Sequence, residues 1–93
     1  AEVLDCKKHP KADKLLIFSL KLGNEDRQIV SGIANFYDPQ TLIGKKVVIV
    51  ANLKPVKLRG EISEGMILSA ATDDDSMLEV VEVDKIESGS EVR

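Results

Sequence analysis

Two clusters of cations are the residues best suited to chemistry in this chain. Lys7, Lys8, Lys11 and Lys14 stand within one eight-residue stretch, opposed there by Asp13 alone. Lys54, Lys57 and Arg59 occupy a second stretch, which also holds Glu61 and Glu64. A lysine ammonium is a mobile point charge suited to phosphate, and Arg59 can donate two parallel hydrogen bonds to one anion. Seven of the thirteen lysines and arginines fall in these stretches, which points to an anionic ligand. Three neighbours have two readings each. Ser63 can donate to a phosphate or a ribose, or cap a turn. Met66 can pack on a sugar or base, or fill the mouth of a core. Asn52, polar at the end of an apolar run, can point at a ligand or pin the loop that follows it. On the residues alone, the packing roles of Ser63 and Met66 are favoured.

Groups for catalysis are sparse. His9 is the sole histidine, and only Asp13 stands near it as an acidic partner. Cys6 lies in a strand pattern with no base arrangement around it, so it reads as a small buried residue rather than a nucleophile. One cysteine excludes an internal disulfide framework and a multi-cysteine zinc site. The acidic run at 73–75 lacks the glycine and the distal glutamate of a calcium loop. The domain itself is expected to be non-catalytic, with no metal site and no cofactor.

The 93 residues, of which 43% are apolar and 31% charged, suffice for one small core and one domain, 1–93. The longest apolar run, 47–51, is far below the roughly 18 residues that span a membrane. No secretory signal opens the chain, since Val3 and Leu4 sit between Glu2 and Asp5. Together with the single cysteine, this predicts a reducing, cytoplasmic setting without membrane partners. The net charge of −3 argues against a nucleic-acid partner, but its distribution does not. Residues 1–60 carry eleven cations against six anions, and residues 61–93 carry two against ten. The front of the chain is the part that would face an anion.

The elements that must position these residues are mostly strands. Over 15–22, Leu16, Phe18, Leu20 and Leu22 alternate on one face, while the other passes from Leu15 and Ile17 to Ser19 and Lys21 and emerges into water. Gly23–Asn24 is a turn signal, and residues 27–31 return as a second strand. Asp38 can cap a short helical turn, with Pro39 at its first position and Gly44 at its stop. Residues 46–53 are apolar on both faces and predict a strand buried from two sides. Pro55, Gly60 and Gly65 predict a long loop, followed by a strand at 66–71, a polar turn at 73–76 and a strand at 77–83. In that last strand Leu78, Val80 and Glu82 oppose Met77, Glu79, Val81 and Val83. Residues 1–6 read as the end of a strand whose start is missing, as in a fragment of a longer chain, and 88–90 form a last turn.

Many short strands with one helix between the third and fourth match the chain order of the oligonucleotide/oligosaccharide-binding barrel, the OB-fold. The expected fold is all-β: a five-stranded OB-fold barrel, one short helix between strands 3 and 4, and an extra C-terminal hairpin. Such barrels bind on the face of strands 2 and 3 and with the loops joining strands 1–2 and 4–5. Those loops would be residues 7–14 and 54–65, which hold the two cation clusters. Phe18, Phe36 and Tyr37 are the only aromatics, and Phe18 lies on the core face, so base stacking is a poor primary mode. What remains is contact with phosphates and with the shape of a folded RNA. With roughly four to six phosphates engaged, affinity would fall steeply with salt.

Three motifs then carry a resemblance. They are His9–Pro10–Lys11–Ala12–Asp13–Lys14–Leu15, Arg27–Gln28–Ile29–Val30–Ser31–Gly32–Ile33, and Asn52–Leu53–Lys54–Pro55–Val56–Lys57–Leu58–Arg59–Gly60–Glu61–Ile62–Ser63–Glu64–Gly65–Met66. In this order, spread over nearly the whole chain, they resemble the tRNA-binding OB-fold family. That family includes the C-terminal domain of bacterial methionyl-tRNA synthetases, stand-alone bacterial tRNA-binding proteins and an animal endothelial monocyte-activating polypeptide. The synthetase branch looks most similar, because the chain stops at Val92–Arg93 soon after the turn at 88–90. A secretion-chaperone branch shares the fold but lacks the 52–66 pattern.

The resemblance implies a non-catalytic module that binds tRNA at its outer corner with little sequence preference, and a homodimer. In a full-length chain it implies attachment to an ATP-dependent methionine–tRNA ligase whose tRNA affinity it raises. It implies RNA contacts by Asn52, Lys54, Lys57, Arg59, Ser63 and Met66, and so turns Ser63 and Met66 towards the ligand. Lys7, Lys11 and Lys14 join them from the loop argument. Rival readings are a stand-alone tRNA-binding protein, a protein-interaction or chaperone module using the apolar surface around Ile33, Phe36 and Tyr37, and a purely structural dimerisation domain.

Overall fold

The computed structural model describes residues 1–74, 76–83 and 85–90. Three long strands dominate: β1 (Glu2–His9), β2 (Ala12–Leu22) and β3 (Glu25–Ser31). They form an antiparallel meander, joined by two-residue turns at 10–11 and 23–24. A four-residue helix, α1 (Pro39–Leu42), precedes β4 (Lys46–Val47) and β5 (Ile49–Val50). Then come β6 (Val56–Leu58), β7 (Glu61–Ser63), β8 (Met66–Ile67), β9 (Ser69–Ala71), β10 (Leu78–Val80) and β11 (Glu82–Val83). The main sheet has five strands in the order β11–β4–β1–β2–β3 and curls into an antiparallel half-barrel. The pairs β5–β8, β6–β7 and β9–β10 complete the architecture. The all-β class, the helix between the third and fourth strands and the C-terminal hairpin are as the sequence predicts.

Alternation on β2 builds the core. Leu16, Phe18 and Leu20 are fully buried, together with Val3, Ile29, Leu42 and Val47. The opposite face of β2 passes into water as its sequence suggests, from half-buried Leu15 and buried Ile17 to exposed Ser19 and Lys21. Ile17 pairs with Val30 of β3, and both are at least 94% buried. Helix α1 has the expected caps: Asp38 accepts from the Gln40 N–H at 3.1 Å, Pro39 opens the helix, and Gly44 takes φ +89° beyond it. Leu42, its one buried residue, joins the core cluster. On and beside β10, Leu78 and Val80 face inward while Met77, Glu79 and Val81 are exposed, as expected, but Glu82, expected to share the inward face, is exposed.

Cys6 is buried, and loss of hydration pushes its thiol up to about 12, with a smaller contribution from Asp5. The thiolate fraction near neutral pH is therefore about a thousandfold below that of a free thiol. Iodoacetamide at pH 8 is expected to leave Cys6 unmodified in the native protein and to label it in urea. Rapid labelling of the native protein would contradict this burial. The sign for stability follows. Because the folded state holds this proton more tightly, the contribution is intact below the unfolded thiol's range and is lost as pH rises above about 9.

Several expectations are corrected. The strand expected at 1–6 runs on through His9, so the cationic stretch 7–14 is a β-hairpin rather than a loop. The strand expected at 46–53 stops at Val50; Val47 and Val48 are buried, but Asn52 and Leu53 are exposed. The long loop at 54–65 contains the β6–β7 hairpin. The strands at 66–71 and 77–83 are each broken in two: the Val48 N–H bonds the Val81 carbonyl, and the Leu68 and Val81 N–H groups bond Val48 and Leu68. In the polar turn, Asp74 accepts from the Ser76 hydroxyl and N–H and from Thr72, and these bonds hold its carboxyl below the usual range. Asp75, the third acid of that run, and Val92–Arg93 lie outside the described residues. No helix among the described residues is long and apolar enough to cross a membrane.

Candidate nucleic-acid interface

The two cationic hairpins meet through His9. The imidazole is buried, with its Nε2 3.0 Å from the Arg59 carbonyl. Its Nδ1 accepts from the Lys11 N–H at 3.0 Å. With Nδ1 occupied as an acceptor, Nε2 is the nitrogen that donates to Arg59. One ring thus closes the β1–β2 turn and joins it to the β6–β7 turn, fifty residues away in the chain. That role was not legible in the sequence, where His9 stood only as a lone histidine near Asp13.

Arg59 and Gly60 form the two-residue turn between Leu58 and Glu61, with φ of +51° and +90°. Positive φ at both central positions matches the twist of a hairpin. Arg59 is the one described non-glycine residue with a positive φ, a conformation that an L side chain adopts at a cost. Its backbone is held there from outside, by His9.

The base of the same hairpin is clamped to β3. Arg27 Nη1 donates to the carbonyls of Ala51 at 2.6 Å and Glu64 at 3.0 Å, and Nε donates to Glu25 at 3.1 Å. Side chains take the place of a strand along the outer edge of β3. Glu64 Oε1 accepts from the Gln28 N–H at 3.1 Å, and Ser63 Oγ accepts from the Val30 N–H at 3.0 Å. The Glu64 N–H returns a bond to the Gln28 carbonyl at 2.7 Å, and Gln28 Nε2 reaches the Ile62 carbonyl at 2.8 Å. Arg27, Gln28 and Glu64 therefore position the hairpin, a role that their side-chain types alone do not signal.

Gly65 completes this junction. Its φ is +151°, and a Cβ there would lie 2.7 Å from the Val50 carbonyl and 3.3 Å from Ile29 Cδ1. The closest atom is backbone, so it cannot swing away. Gly65→Ala is expected to lower unfolding free energy by about 2 kcal/mol. Urea denaturation measures this, and an unchanged midpoint would contradict the close approach.

The candidate RNA-binding residues fall in distinct places. Lys7 is exposed on β1, Lys11 on the turn that His9 closes, and Lys14 on β2. Lys57 and Arg59 are exposed on the β6–β7 hairpin, with Lys57 opposite Ile62. Lys54, Ser63 and Met66 line a cleft of about 370 Å³ between that hairpin and β3. Lys54 and Met66 are exposed there, whereas Ser63 is buried and its hydroxyl is engaged at both ends, accepting from Val30 and donating to the Gly65 carbonyl at 3.0 Å. Asn52 stands apart, exposed at the margin of a second cleft of about 950 Å³ lined by Val48, Leu68, Val81 and Ile86.

Residues 1–91 match the family described as "Putative tRNA binding domain". The methionine–tRNA ligase of Clostridium perfringens is 56% identical over 92 residues, which is 99% of this chain and 14% of that protein. The chain thus spans about one seventh of that relative's length. Among solved structures, a methionyl-tRNA-synthetase-related protein from Pyrococcus horikoshii superposes with a TM-score of 0.94 at 36% identity, covering 99% of this chain and 84% of that one. The chaperone CsaA of Bacillus anthracis shares the fold, with a TM-score of 0.86 at 20% identity over 99% of this chain and 85% of its own. By sequence match over nearly its whole length, the chain belongs to the tRNA-binding domain family.

Proposed function

We propose that this domain binds tRNA by charge and shape at the outer corner of the folded RNA, without catalysing a reaction. In its full-length setting it is the C-terminal domain of a cytoplasmic, ATP-dependent methionine–tRNA ligase and raises that enzyme's affinity for tRNA. The observation that supports the reading is the adjacency of the two cationic hairpins, tied by the bond from His9 to the Arg59 carbonyl. Lys7, Lys11 and Lys14 from one hairpin then act with Lys54, Lys57 and Arg59 from the other on successive phosphates. Met66 lies beside Lys54 in the same cleft, and Asn52 marks the start of the connection. Ser63 contributes by holding the hairpin against β3, since its hydroxyl is already engaged within the protein.

The domain also pairs with a second copy. The larger cleft, with exposed Leu68, Val81, Val83 and Ile86 around it, supports this, because an apolar surface of that kind is better covered than solvated. Two tethered sites raise avidity even where each is weak. Sedimentation is expected to give twice the 10.2 kDa of one chain, and a monomer at micromolar concentration would remove the pairing.

A filter-binding titration of bulk tRNA against salt tests the RNA reading. Affinity is expected to fall with a log–log slope of about −4 to −5. A flat salt response, or no binding at low salt, would return the function to a protein-interaction or purely structural module.

A further inference from the structure

The cleft between β3 and the β6–β7 hairpin is more apolar than an electrostatic grip requires. Val56 and Leu58 form one wall and Met66 another, and the three are 53%, 36% and 54% exposed. Alternation along β6 turns Val56 and Leu58 into the cleft and leaves Lys57 on the opposite face of the hairpin. The cleft's volume of about 370 Å³ lies at the small end of ligand-sized sites. Its polar groups are few: the Ser31 hydroxyl, the Lys54 ammonium and the outer edge of β3. Because the Val30 N–H points outward to Ser63, strand geometry turns the Val30 carbonyl to the same edge.

We propose that this cleft holds one unpaired nucleotide of the bound RNA, its base between the aliphatic walls and its phosphate on Lys54. The proposal rests on the tRNA-binding reading above and deepens it. Charge complementarity selects the occupant. The apolar walls end at one cation, Lys54, and Arg59 follows Leu58 in the turn of the same hairpin. A nucleotide joins a flat apolar face to a phosphate and satisfies both parts, whereas an apolar protein side chain brings nothing for Lys54. Aliphatic contact of this kind needs no exposed aromatic ring, in keeping with a chain that has only three aromatics.

The test measures binding of the domain to a tRNA transcript and to a fully paired RNA duplex of similar length across a salt series. Leu58→Ala and Val56→Ser are compared with the wild type. Both positions are exposed enough to change without opening the core, and thermal melts confirm the fold of each. Each variant is expected to weaken tRNA binding about threefold to tenfold at every salt concentration, with an unchanged slope and unchanged duplex binding. Lys54→Ala, by contrast, lowers the slope by about one. Folded variants that bind tRNA like the wild type would overturn the cleft assignment and leave the tRNA reading standing. A loss of affinity matched by a change in sedimentation would assign the cleft to a second copy and overturn it too. A wild-type domain that binds neither RNA would sink both.

Discussion

Arg27→Met is expected to cost about 3 kcal/mol of stability and to weaken tRNA binding by more than the loss of one phosphate contact, although Arg27 is not among the proposed contacts. The guanidinium makes two short bonds to the carbonyls of Ala51 and Glu64, one on each side of the 52–63 segment. Hydrogen bonds from a charged donor contribute about 1.5–3 kcal/mol each, and removing the donor leaves both carbonyls short of a partner. The third bond, to the largely exposed Glu25, adds little. Methionine keeps the apolar stem and removes the clamp. The hairpin carrying Lys57 and Arg59 then loses its fixed attachment to β3, so every cation on it is affected at once. Urea denaturation gives the stability change, and tRNA titration at a temperature where the variant is fully folded gives the binding change. A variant that is less stable but binds tRNA with wild-type affinity would show that the clamp holds the fold and not the interface. Arg27→Lys should recover part of both losses, because an ammonium can reach carbonyls but not with the same paired geometry.

Local physics made part of this molecule legible from its residues. Period-two alternation on 15–22 identified the core strand, because Leu16, Phe18 and Leu20 had only one apolar side to go to. Asp38, Pro39 and Gly44 each act within one turn of the helix they bound, so their roles could be read directly. The hairpin at 56–63 could not. Pro55, Gly60 and Gly65 resembled a run of breakers, and Arg–Gly is a weak turn signal beside Asn–Gly. The hairpin is made regular by contacts from His9, Gln28 and Arg27, each at least 24 residues distant in sequence. The hairpin at 7–14 was hidden for a related reason. Lys7 and Lys8 are both exposed, which breaks the alternation that marks a strand, and the pairing with β2 shifts register between Lys8 and His9. The charges of the candidate interface were thus readable and its scaffold was not, because polar side chains reaching across the fold leave no periodic trace.

Arg59 offers a way to separate stability from binding at one position. Arg59→Gly is expected to leave the domain as stable as the wild type, or up to about 1 kcal/mol more so, while weakening tRNA binding by up to about tenfold and lowering the salt slope by about one. The gain follows from φ +51°, which glycine adopts without the clash that a Cβ brings. It is offset in part by the greater freedom of glycine in the unfolded chain. The backbone carbonyl that receives the His9 bond is unchanged by the substitution, so the two hairpins stay joined and only the guanidinium is lost. His9→Ala makes the opposite cut. It keeps every cation, but leaves the Arg59 carbonyl and the Lys11 N–H without their partner and frees the hairpins from one another. It should therefore lower stability by about 1–3 kcal/mol and weaken binding with little change in how many phosphates are engaged. The pair of variants discriminates the two contributions. If Arg59→Gly bound tRNA as tightly as the wild type, the strained turn would be holding a charge that the RNA does not use, and the hairpin would owe its conformation to packing alone.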